Sequence, residues 1–245
     1  MKKYMLFISM MLTTSLCFAA TFEVAPEISH ISYREKNLPV GNEIIDVKLD
    51  GVFYGLRGSL ESKERIYLAI EGRYALGQVE YSGTGSLDGI DSYTHEIRGL
   101  VGVPFPKVII YSGYGRRYLN DDMNGRFTST GHIGYEREST YQYIPIGVKT
   151  SHRIPIKAEI DILLSGRQVS HFEKIGFTSD PIINKQDRGV GFKLSTEFSK
   201  SFGSFDVSLS PFIRTWKVQE SKVSGGLVEP KNTSVEVGGS VAVRF

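Results

Sequence analysis

Apolar and polar residues alternate with period two along most of this 245-residue chain. At its end Val235, Val237, Gly239, Val241, Val243 and Phe245 share one face, while Glu236, Gly238, Ser240, Ala242 and Arg244 share the other. Successive strand side chains point to opposite faces, so this spacing predicts a strand with one apolar side. Ile156, Ala158, Ile160, Ile162 and Leu164 repeat the pattern against Lys157, Glu159, Asp161 and Ser165. So do Ile66, Leu68, Ile70, Tyr74 and Leu76 against Tyr67, Ala69, Glu71 and Arg73. Ten such segments are legible, at about 22–32, 45–60, 65–80, 91–103, 107–118, 139–150, 155–169, 187–199, 203–216 and 233–245.

These segments are long. Strands of globular proteins run about 5–6 residues, whereas membrane-crossing strands need about 9–11. The predicted connections alternate in length: short near 61–64, 104–106, 151–154 and 200–202, long and polar near 33–44, 81–90, 119–138, 170–186 and 217–232. Aromatic residues fall near the predicted strand ends, at Tyr33, Tyr81, Tyr93, Tyr118, Tyr141, Phe198, Phe205, Trp216 and Phe245, as expected of interfacial girdles. The fold class is therefore all-β: a transmembrane antiparallel up-and-down barrel of about ten strands, with eight possible.

The N-terminus adds an export signal. Lys2 and Lys3 precede an apolar run from Met5 to Leu12, and small residues follow around Ala19 and Ala20. That order reads as a secretory signal peptide over 1–20, leaving one barrel domain over 21–245. Cys17 is the only cysteine, so the mature chain can form no disulfide and no thiolate metal site. The whole chain has 29 Lys plus Arg and 27 Asp plus Glu; without Lys2 and Lys3 the two counts are equal. Near neutrality argues against nucleic acid as a partner.

A signal peptide, amphipathic strands of even number and the ending Val241-Ala242-Val243-Arg244-Phe245 resemble the small bacterial outer-membrane β-barrel superfamily. Opacity-protein and OmpA-type surface barrels are nearest in size, and many of those have eight strands. The resemblance implies an outer-membrane location, with lipid and lipopolysaccharide around the barrel. It also implies that Val241, Val243 and Phe245 form the signal read by the barrel-assembly machinery.

If the apolar faces meet lipid, alternation turns Arg57, Glu71, Arg73, Glu96, Arg98, Lys157, Glu159, Asp161, Arg167, Lys193, Glu197, Asp206, Arg214, Glu236 and Arg244 inward. Strands 107–118 and 139–150 are ambiguous, because Tyr111, Gly113 and Tyr114 fit either face. Mixed charges in a narrow tube should pair, since an unpaired buried charge is costly. The expectation is a plugged lumen, with a narrow channel as the alternative.

A rim-located hydrolase of the lipid A deacylase or protease type is a second alternative. Ser170, His171 and Glu173 supply the residue types for a Ser-His-acid site, and Asp121, Asp122 and Asp180 supply outer-loop acids. His95 and Glu96 are adjacent, but strand geometry sends them to opposite faces. The reading is non-enzymatic, with these residues solvating the rim. No metal or other cofactor is expected. The five histidines are dispersed, and residues 120–125 lack the closing glutamate of a calcium loop. Recognition of a surface ligand falls to the long loops, through Arg126, Phe127, Tyr135, Phe172 and Phe177. The other reading of these side chains is a lid packed over the mouth.

Overall fold

The computed structural model describes residues 20–40 and 43–244. The signal peptide expected over 1–20 lies outside the described residues but for Ala20, and Phe245 of the assembly signal lies outside them too. Seven strands run up and down in order: β1 Ala20–Val40, β2 Glu43–Lys63, β3 Tyr67–Gly83, β4 Gly85–Pro104, β5 Val108–Asp122, β6 Glu136–Thr150 and β7 Ile156–Ser170. The eighth stave is built from β8 Ile182–Gln186, β9 Gly189–Thr196 and β10 Phe198–Phe202. β11 Phe205–Val218 and β12 Asn232–Arg244 complete ten staves.

All pairings are antiparallel. β12 pairs with β1, and β9 pairs with both β7 and β11, so the sheet closes on itself. Closure leaves no sheet edge, which a hydrocarbon environment requires. The outer surface carries the apolar half of the alternation: Ile66, Leu68, Ile70, Tyr74 and Leu76 are 41–60% exposed on one stave alone. Ten residues at about 3.4 Å each, tilted by about 40°, give an apolar band roughly 26 Å tall. Val241 and Val243 also face outward.

Polar-looking segments turn out to be strand. The predicted loop 33–44 is a continuation of β1 and β2, paired out to Val40 and Glu43. The predicted loop 81–90 is likewise a continued β3–β4 hairpin that turns at Gly83, Thr84 and Gly85. Gly85 takes a φ of 110°, a conformation that favours glycine. Above the lipid neither face needs to be apolar, so the period fades while backbone pairing continues. Segment 170–186 holds a 3-10 turn, Phe172–Ile175, and all of β8. The short turn expected at 200–202 falls at Gly203 and Ser204, after Phe202 pairs with Phe205.

The expected aromatic girdle also needs correction. Tyr93 and Tyr118 meet at a tilt on the outer surface with ring centroids 5.7 Å apart, and Phe202 stacks on Phe205 at the short-turn end. Tyr141 and Trp216, however, are buried inside the barrel, and Tyr33 and Tyr81 pack against its apolar contents. Their strands extend past the membrane, so proximity to a predicted strand end did not fix the face. On β5, Tyr111 points in and Tyr114 out.

Candidate functional site

Lumen side chains form successive groups of ion pairs along the tube. At the short-turn end Arg57 Nη2 reaches Glu23 Oε1 at 3.1 Å, and Lys149 Nζ holds Glu61 at 2.8 Å. Higher up, Arg98 Nε donates to Glu71 Oε2 at 2.7 Å, while its other nitrogens contact Glu71 and Glu159. Lys157 Nζ meets Glu71 Oε1 at 2.6 Å. Arg73 bridges Glu27 at 2.5 Å and Glu236. Arg214 Nη2 donates to Glu96 Oε2 at 2.6 Å, and the Tyr143 hydroxyl donates to the other oxygen of Glu96.

Register explains why the pairs cross the tube. Arg57 and Arg73 are direct neighbours in the ladder, as are Lys193 and Arg214. Like charges side by side repel, so the two arginines of the first pair each reach a carboxylate on another strand. Asp161 is fully enclosed one step along β7 from Glu159, and neither of its oxygens is hydrogen-bonded. Lys193 and Glu197 line the lower lumen.

Arg167 does not join them. Leu163 pairs with Tyr143 and Ser165 with Gln142, leaving Leu164 as an extra residue in β7. Such a bulge shifts the phase by one residue and flips every later side chain. Lys157, Glu159, Asp161 and Leu163 face in before it; Gly166, Gln168 and Ser170 face in after it, and Arg167 is exposed outside. Unbroken alternation predicted the opposite.

The lumen is divided. A cavity of about 440 Å3 opens among the short turns and rises to Glu96, Arg98, Lys193 and Arg214. Near the outer mouth a separate pocket of about 40 Å3 lies between Phe53, Arg117, Tyr141 and Trp216. The layer between them contains Arg73, Glu96, Tyr143, Arg214 and Glu236. Tyr143 meets Trp216 edge-on at 5.3 Å, and a Cβ on Gly191 would lie 2.7 Å from the Trp216 ring. Glycine there lets the indole lie flat against the wall.

Above this layer Arg137 gathers three acids: Glu35, Asp121 at 3.4 Å and Glu229 at 4.0 Å. Its guanidinium also lies 4.8 Å from the centre of the Tyr33 ring. Burial, and the Glu35 carboxylate beside it, push the Glu229 carboxyl well above the usual range. Glu229 belongs to the loop over 219–231, which folds down over the mouth. Asn184 Nδ2 donates to Ser221 Oγ at 3.0 Å and to the Leu227 carbonyl at 3.1 Å. Gln186 Nε2 donates to the Gln219 carbonyl at 3.1 Å, and Gln168 donates to Glu229.

Sequence reasoning missed Glu23, Glu27, Glu35, Arg117, Arg137 and Glu229. Glu23 and Glu27 alternate with Phe22, Val24 and Ile28 and were open to detection. Arg117 sits on the ambiguous fifth strand, while Glu35, Arg137 and Glu229 fall in predicted loops.

The loop-recognition residues divide into two kinds. Tyr135 packs on Phe172 with ring centroids 4.2 Å apart. Arg126 is spent on the Gly89 and Asp88 carbonyls, at 2.6 and 2.5 Å. Phe127 and Phe177 remain 62% and 71% exposed. At the rim, His171 Nδ1 contacts Glu173 at 2.7 Å and Nε2 contacts Glu138 at 3.3 Å. Ser170 turns into the barrel. Asp121 accepts from Ser92 Oγ at 2.7 Å, and Asp122 accepts from the Asn124 amide at 3.0 Å. No metal-ligating cluster is present among the described residues.

The closed barrel and its apolar girdle define the class: a membrane-spanning antiparallel β-barrel. Among solved structures the chain is similar to the outer membrane protease OmpT from Escherichia coli, at 11% identity over 95% of this chain and 100% of that one, with a TM-score of 0.58. It also matches a deltaS2 mutant of the TodX monoaromatic hydrocarbon channel at 8% identity, covering 92% and 90% of the two chains (TM-score 0.35). A third match is Pseudomonas aeruginosa OccK5, at 7% identity over 91% and 98% (TM-score 0.20). The first shows the shared fold. No protein-family model and no curated protein sequence matches the chain.

Proposed function

We propose that this protein is a non-conducting surface barrel: a rigid, ion-paired stem that displays its outer loops for recognition. The observation that carries this reading is the charged layer around Glu96, Arg214, Tyr143 and Glu236, which separates the lower cavity from the outer mouth. A selective pore favours rings of one sign, whereas both signs are paired here. Exposed Phe127 and Phe177 offer apolar contact area on the outer side. A non-enzymatic role is supported at the rim, where carboxylates lie against both nitrogens of His171 and Ser170 faces away from solvent.

The test is current across a planar bilayer, recorded for the refolded chain and for an Arg73→Ala/Arg98→Ala/Arg214→Ala variant. The intact protein is expected to be silent and the variant to conduct. Steady current from the intact protein overturns the reading and makes this a narrow channel.

A further inference from the structure

The bulge at Leu164 exports a charge. Arg167, turned outward, is the direct register partner of Lys185 on β8, and both side chains are exposed. Like charges directly opposite in a ladder are unfavourable unless something lies between them. Neither makes an ion pair among the described residues. On the adjoining strand Glu138, opposite Val169, lies against His171 Nε2 at 3.3 Å, and Asp187 lies beyond β8, where the eighth stave breaks.

The height of this pair is as informative as its charge. On β7 the outward side chains run Ile156, Ala158, Ile160, Ile162, Leu164, Ser165 and then Arg167. The change from aliphatic through Ser165 to basic comes at the long-loop end of the apolar band, where lipid head groups of the outer leaflet lie. Thr140 and Tyr118 continue the row across β6 and β5. Arg116, two residues below Tyr118, points the same way; from strand spacing and rise it stands roughly 12 Å from Arg167 at the backbone. His95 stacks on Tyr118 at 4.8 Å and fills the flank with aromatic surface.

We infer that Arg167 and Lys185, with Arg116 beside them, form a docking site for the phosphate groups of a phosphorylated glycolipid of the outer leaflet. A guanidinium offers a planar fork to phosphate and an ammonium adds a point charge. Below Ser165 the outward Leu164, Ile162 and Ile160 continue into the acyl region, so head group and chains are met in order. The site rests on the barrel's place in the outer membrane and is independent of whether the lumen conducts.

Intact-complex mass spectrometry of the refolded barrel in zwitterionic detergent provides the test, with diphosphorylated lipid A, the same glycolipid after dephosphorylation, and phosphatidylglycerol as probes. Arg167→Ala/Lys185→Ala is expected to raise the Kd for diphosphorylated lipid A roughly 30-fold. Arg167→Lys/Lys185→Arg is expected to keep most of the affinity. Both residues are exposed, and heat-modifiable gel mobility checks that each variant is folded. Equal Kd for the alanine variant and the parent overturns the site. So does equal binding of the dephosphorylated glycolipid, or tighter binding of phosphatidylglycerol.

Discussion

Replacing Glu96 by Gln probes whether the charged layer is a dry plug. Glu96 accepts from Arg214 Nη2 at 2.6 Å and from the Tyr143 hydroxyl, and it is 7% exposed. Glutamine keeps the shape and one acceptor oxygen but leaves Arg214 without its charge partner; Nε and Nη1 of Arg214 already lack acceptors. Removing one member of a buried pair costs about 3–5 kcal/mol, because the remaining charge cannot reach water. With a urea dependence of about 3 kcal/mol per molar, the unfolding midpoint should fall by roughly 1–2 M. Trp216, the only tryptophan, packs on Tyr143 and reports the transition by fluorescence. The double variant Glu96→Gln/Arg214→Met should recover most of the loss, since replacing both charged partners is often neutral. A Glu96→Gln unfolding free energy within about 0.5 kcal/mol of the parent would refute the reasoning. It would mean that water screens the layer and that the ion pairs do not seal the lumen.

Gly191→Ala places a methyl 2.7 Å from the Trp216 ring, an overpacking worth about 1–3 kcal/mol; a lower midpoint and a shifted Trp216 emission are expected, and an unchanged spectrum would contradict the packing. Glu229→Gln tests the loop over the mouth through pH. The Glu229 carboxyl is raised by burial and by Glu35, so the folded state holds its proton after the unfolded state has released it, and stability declines as pH rises from about 4.3 toward the folded value. Glutamine removes that penalty. The variant should therefore match the parent near pH 4 and be the more stable at pH 7 in thermal unfolding, whereas a difference independent of pH would sink the linkage.

The barrel was legible because one of its faces meets lipid. Inside the membrane, Ile156 to Leu164 or Ile66 to Leu76 must alternate, and the ion-pairing residues Arg73, Glu96, Arg98, Glu159 and Arg214 could be assigned inward from that period alone. Legibility ended where the lipid ended. Residues 33–36 continue a paired strand, but Arg34 and Lys36 occupy the outward face and leave no apolar stripe there to betray it, and Glu35 went unseen with them. Partner choice was hidden as well. Alternation places Arg73 in the lumen, but its bonds to Glu27 and Glu236 depend on which staves close beside one another, a property of the β12–β1 seam. Tyr141 and Trp216 show the same limit, because an aromatic near a strand end suits a girdle or a lumen equally well until the face is fixed.

The extra residue in β7 links the lumen to the outer surface. Upstream of Leu164, odd-numbered side chains fill the charged layer; downstream, the phase changes and Gln168 points in. Gln168 then reaches Glu229 and, with Asn184 and Gln186 on the adjoining stave, holds the loop 219–231 over the mouth. Had alternation continued, Arg167 would occupy the lumen where Arg137 already faces three carboxylates, and Gln168 would lie outside with nothing to hold. The same shift that supplies an amide to the loop therefore delivers an arginine to the outer surface beside Lys185. A bulge leaves one residue unpaired and disturbs the ladder locally. Its position at the upper edge of the apolar band lets Leu164 itself stay in the lipid-facing row, 49% exposed, so the phase changes where the outside turns from aliphatic to basic and the inside from ion pairs to amides.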